Sequence, residues 1–115
     1  MSTIKTRLEA GVLVISLQDI RIIDERQIAE IGQGLTELVH DTESKSAILS
    51  FQNVGFMSSA MIGKLVAFDK KCKSLDIKLR LCEIGENVDE VFKLMRLDKV
   101  FSIDKTEEEA LKQLQ

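Results

Sequence analysis

The sequence predicts an α/β fold: a mixed sheet of about five strands, opened by an antiparallel hairpin and continued by βα units, with about four helices. Three observations point there. The first residues alternate apolar and polar and then turn at Ala10-Gly11. Four later stretches repeat apolar residues at helical spacing, each behind a capping signal. Short apolar runs separate those stretches, and strands alternating with helices demand a largely parallel sheet.

In order, Ile4, Thr6 and Leu8 share one side of a first strand. Val12 to Leu17 is the second, and Val12-Leu13-Val14-Ile15 is apolar on both faces, so it is central. Asp24 caps the first helix with Gln27 at the capping-box position. Ile28, Ile31, Leu35 and Leu38 form its stripe, which ends in the polar stretch from His40 to Ser46. Ala47 to Phe51 is the third strand, and Gln52 to Met57 a loop. A second helix starts at Ser58 or Ser59. Met61, Leu65, Phe68 and Cys72 mark its buried face, widened by Ile62 and Val66. Ile77 to Cys82 is the fourth strand. Asn87 and Glu90 suggest another capping box, with Val88, Val91, Phe92 and Met95 facing inward. Val100 to Ile103 reads as a fifth strand. Thr106 and Glu109 cap a final helix docked by Ala110, Leu111 and Leu114. Right-handed crossovers place the strand-to-helix loops on one rim, where ligands and partners of such sheets tend to sit. The loop from Gln52 to Ser59 lies on it.

Composition narrows the function. With 115 residues there is room for one domain, residues 1–115. A formal charge of −3 and the absence of Trp and Tyr speak against nucleic-acid binding. Lys64, Lys70, Lys71 and Lys73 read as the solvated face of a helix. No run suggests a signal peptide or membrane span, so a cytoplasmic location and reduced Cys72 and Cys82 are expected. The one histidine, His40, sits at a helix end, where the dipole favours it. Its spacing to the cysteines matches no zinc motif, and no phosphate-binding loop or dinucleotide fingerprint is present. No metal or cofactor is expected, and binding another protein is favoured over catalysis. An enzyme would need a pocket among Asp19, Asp24, Ser59 and Asn87.

The distinctive segment is Val54 to Gly63, with two serines at a helix start. A plain helix cap accounts for them. So does a phosphorylation site, because a helix N-terminus tolerates a phosphate that would disturb a partner.

Phe56-Met57-Ser58-Ser59-Ala60-Met61-Ile62-Gly63 resembles the loop of the STAS family, specifically of bacterial anti-sigma factor antagonists. That pattern runs Phe-Met/Ile-Asp-Ser-Ser-Gly-Leu/Ile-Gly. Cys82-Glu83-Ile84, Val91 to Val100-Phe101, and Thr106 to Leu111 extend the resemblance along the chain, as does the element order. Ser58 stands at the family's Asp, Ala60 at its second serine and Met61 at its glycine. The resemblance implies a STAS-like single domain that binds an anti-sigma factor with serine-kinase activity and so releases a sigma factor. It implies phosphorylation at Ser59 (second choice Ser58) and resetting by a phosphatase. Met57, Ser58, Ser59, Met61, Lys64 and Asp24 would form the partner contact. The alternative is a phosphorylation-independent scaffold subunit of a signalling or lipid-transport complex.

Overall fold

The computed structural model describes residues 4–115; residues 1–3, which the expected domain 1–115 includes, lie outside the described residues. Strands β1 (Ile4–Glu9) and β2 (Val12–Leu17) form the expected hairpin. Ala10 and Gly11 both take positive φ, 50° and 80°. A two-residue turn of this hand matches the twist of the strands it joins, and Gly11 meets the demand without steric cost.

Strand β2 is interior, as its two apolar faces suggest. The sheet order is β1-β2-β4-β6, with β4 (Ser46–Ser50) and β6 (Lys78–Cys82) both parallel to β2. Leu13, Ile15 and Leu17 join the larger core under α1 (Glu25–Asp41) and α2 (Ser59–Ser74). Val12 and Val14 join a smaller cluster with Ile48, Cys82 and Ala110 beneath α4 (Glu107–Gln113). The sheet is therefore covered on both faces.

Helix α1 begins at the capping box formed by Asp24 and Gln27. Its buried stripe is Ile28, Ile31, Leu35 and Val39. Leu38, expected in the last place, is only partly buried, because the stripe drifts round the helix over its length. Helix α2 buries Met61, Ile62, Leu65, Phe68 and Cys72 as expected. It also buries Asp69, whose charge is met by Lys73 at 3.0 Å. The two helices approach closely where Lys64 crosses α1. A side chain at Gly32 would meet the Lys64 stem at 3.0 Å.

Several expectations need correcting. Helix α3 (Glu86–Leu94) has Gly85, not Asn87, at its N-cap. The Gly85 carbonyl accepts from the N–H of Asp89, and Glu86 and Asp89 put carboxylates at the positive helix end. Asn87 and Glu90 thus form no capping box. Met95 is 46 % exposed instead of inward. Arg96 adopts φ 58°, which ends the helix, and a 3₁₀ turn over Leu97–Lys99 follows. The stretch from Val100 to Ile103 is no full strand; it meets β6 by a single bridge, Ile103 to Leu81. At α4 half of the capping box forms. Thr106 Oγ1 accepts from the Glu109 N–H at 3.1 Å, while the Glu109 carboxylate accepts from Lys105 N–H at 3.3 Å.

One element was not legible in the sequence. β3 (Arg21–Ile22) and β5 (Phe56–Met57) make a separate two-stranded parallel ribbon beside the start of α2.

Candidate functional site at the start of helix α2

The segment between β4 and α2 is anchored at both ends. Phe51 is buried beside Phe92, with the rings edge-on at 6.3 Å, and its N–H donates to Cys82 at 3.0 Å. Beyond it the chain runs alongside residues 20–22. The N–H groups of Gly55 and Phe56 donate to the Ile20 carbonyl at 2.8 and 3.1 Å. The Ser58 N–H donates to Ile22 at 3.0 Å.

Gln27 holds the neighbouring segment. Its Nε2 donates to Asp19 at 2.5 Å and to the Arg21 carbonyl at 2.9 Å. Its Oε1 accepts from the N–H groups of Ile23 and Asp24 at 3.1 and 3.2 Å. Asp24 in turn accepts from the Gln27 N–H at 3.1 Å. One side chain from the first turn of α1 thus fixes the backbone that faces the serines.

The two serines differ. Ser58 has the backbone of an N-cap, and its carbonyl accepts from Met61 and Ile62 at 3.1 and 3.3 Å. Its hydroxyl, however, makes no cap hydrogen bond and is buried without a partner among the described residues. The plain-cap explanation therefore fails for the side chain. Ser59 is the exposed first residue of a 16-residue helix. No acidic residue lies in that first turn. Unsatisfied N–H groups and the positive end of the helix dipole are thus directed at the Ser59 surroundings.

An apolar patch flanks these serines. Ile20, Ile23 and Phe56 are 70 %, 47 % and 50 % exposed. The Arg21 guanidinium stands 5.7 Å from the centre of the Phe56 ring, a cation–π distance. Sequence reasoning missed all four. For three of them the signal was period-2 alternation: Arg21 and Ile23 point out where Ile22 points in, and Phe56 points out where Met57 points in, whereas Ile20 shares the parity of the buried Ile22 and is exposed all the same.

Of the residues expected at a partner contact, Ser59 and Lys64 are exposed and Ser58 is partly so. Asp24 is exposed and already engaged as the cap of α1. Met57 and Met61 are 5 % and 0 % exposed, so the core takes both. Phe56 presents the apolar surface beside them.

Asp19 and Asp24 are both bound by Gln27, and Asn87 reaches the Gly55 carbonyl only at 3.5 Å. Among the described residues no group of three metal-ligating side chains is close enough to hold an ion. No helix there is long and apolar enough to cross a membrane. Cys72 and Cys82 are buried free thiols. Burial pushes each up to about 12, helped by Asp69 near Cys72 and by Glu83 near Cys82.

Comparison with known proteins now identifies the family. Residues 3–110 match the model of the STAS domain, and the chain belongs to that family. Solved structures share the fold over nearly the whole chain. An anti-sigma-factor antagonist (STAS) domain protein from Planctomyces limnophilus aligns with a TM-score of 0.85 at 24% identity, covering 100% of this chain and 99% of that one. The Bacillus cell fate determinant SpoIIAA in its phosphorylated form aligns at 0.71 and 18% identity, covering 97% and 99%. A sulfate transporter family protein from Wolinella succinogenes aligns at 0.75 and 13% identity, covering 93% and 87%. At these identities the likeness is one of fold.

Proposed function

We propose that this chain is an anti-sigma factor antagonist that acts as a phosphorylation-controlled partner switch. The observation that carries the reading is the exposed Ser59 at the N-terminus of α2, set against the apolar patch of Ile20, Ile23 and Phe56. In the unmodified state the patch and the first turn of α2 bind an anti-sigma factor that is also a serine kinase, and a sigma factor is released. The partner phosphorylates Ser59, and a phosphatase reverses the step. The chain works as one domain, residues 1–115, in the cytoplasm, and its own contribution is binding, not catalysis.

Electrostatics gives the switch its sign. A phosphate adds −1.5 to −2 charges and is tolerated by the helix N-terminus. Against an apolar or acidic partner the same charge costs several kcal/mol, or about 100-fold or more in affinity. Ser59 is favoured over Ser58 because the Ser58 hydroxyl is buried.

One observation favours a second reading. Ser58 stands where antagonists carry Asp, and the first turn of α2 has no acidic residue at all. A scaffold subunit of a signalling or lipid-transport complex would use the same face permanently. Side-by-side capture with wild-type and Ser59→Asp baits separates the two. A kinase-like partner retained only by wild type supports the switch. Identical partners on both baits would leave the scaffold.

A further inference from the structure

Strand β1 is the outer strand of the main sheet. In an antiparallel pair, residues alternate between hydrogen-bonded and non-hydrogen-bonded positions. The two-residue turn makes Glu9 and Val12 the bonded closing pair, so Arg7 and Lys5 also bond to β2. Thr6 and Leu8 therefore direct their backbone N–H and C=O groups to the open edge. Such an edge is a template for a further strand unless its side chains forbid one.

The side chains of β1 sort by face. Lys5, Arg7 and Glu9 lie on the α4 side, where Arg7 is paired with both Glu9 and Glu107. Thr6 and Leu8 lie on the α1 side, opposite Ile15 and Leu13. Leu8 is 69 % exposed. A groove of about 560 Å³ runs between β1 and α1 there, lined among others by Thr6, Leu13, Gly34 and Leu38.

We propose that a second copy of this chain occupies the β1 edge, the two β1 strands pairing antiparallel about a twofold axis at Arg7. In that register Lys5 faces Glu9 of the second copy on one side of the sheet, twice over by symmetry. Arg7 faces its own equivalent, but its charge is already met within each chain by Glu9 and Glu107. On the other side each Leu8 stands opposite Thr6 of the second copy, at the mouth of the groove. Thr6 and Leu8 supply the edge hydrogen bonds. Other registers fit less well. An axis at Thr6 sets Lys5, which has no carboxylate partner of its own chain among the described residues, against Arg7 and leaves its charge unmet. An axis at Leu8 extends the pairing into Ala10, which the turn holds at φ 50°. The charges that would ordinarily guard an edge strand are thus arranged to complement themselves.

The test is sedimentation of the full chain over a concentration series reaching about 1 mM, a weak but measurable affinity. Wild type is expected to show a reversible dimer. Thr6→Pro, which removes an outward N–H, should be monomeric. Lys5→Glu should weaken association about tenfold or more. Lys5 is exposed, so the charge arm stands even if Thr6→Pro lowers the melting temperature. A wild type that stays monomeric throughout overturns the proposal. So does a dimer indifferent to both single variants. None of these results depends on the switch at Ser59.

Discussion

Gln27 donates from Nε2 to the carboxylate of Asp19 at 2.5 Å, tying the first turn of α1 to the end of β2. The same amide binds the backbone of Arg21, Ile23 and Asp24. The segment that displays Ile20 and Ile23 is therefore held by a side chain that itself contributes nothing to the apolar surface.

Gln27→Ala should accordingly cost about 1–2 kcal/mol of stability, the scale of a lost helix cap. It should also weaken partner binding by more than its effect on folding explains. Thermal melting together with titration of a captured partner checks both, and intact affinity would mean that the 20–23 segment holds its shape alone.

Ser58→Ala should be close to neutral for stability. An ordinary serine cap loses about 1 kcal/mol on this change. Here the hydroxyl is buried without a partner among the described residues, so removing it also removes a desolvation cost. A loss of the full capping value in denaturant unfolding would show that the hydroxyl has a partner after all.

Asp104 accepts from Arg80 Nε at 2.5 Å and from a second guanidinium nitrogen at 3.2 Å. This pair, only 24% and 10% exposed at its side chains, anchors the segment after α3 to β6. Asp104→Ala should lower stability by about 1–3 kcal/mol, because a partly buried guanidinium loses its partner. Equilibrium urea unfolding reads the change directly.

The thiols give a pH dependence. Cys72 and Cys82 are pushed from 9.0 to about 12 in the folded chain, chiefly by burial. The folded state then holds more protons than the unfolded one between those values, so stability falls as pH rises through that range. Below about pH 9 the contribution is fully present. A Cys72→Ala variant should show a shallower alkaline decline in melting temperature than wild type. With no tyrosine in the chain, thiolate absorbance can be followed without phenolate overlap.

Much of this architecture was legible in the sequence because its signals are local. Asp24 and Gln27 lie three residues apart and form the cap that their spacing implies. Ala10-Gly11 turns where alternation breaks. The stripe of Met61, Leu65, Phe68 and Cys72 reads directly as a buried helix face. What escaped was non-local. The ribbon of β3 and β5 joins residues far apart in sequence through only Arg21–Phe56 and Ile22–Met57, too short for any period to show. Without it, Phe56 and Met57 look like one loop, and which of them is buried stays open. The end of α3 escaped for another reason. Met95 continues the apolar spacing, but Arg96 turns the chain away in a left-handed conformation that few signals other than glycine announce.

The two cores of unequal size imply an order of opening. Val12, Val14, Ile48, Cys82 and Ala110 form a thin layer under α4, whereas α1 and α2 cover the larger one. Amide protons of α4 should exchange with deuterium through local fraying, well before those of β2 and β4. The ties of Glu107 to Arg7 and Glu83 hold its first turn against that step. The slowest-exchanging amides should trace β2 and β4, the two strands paired on both sides.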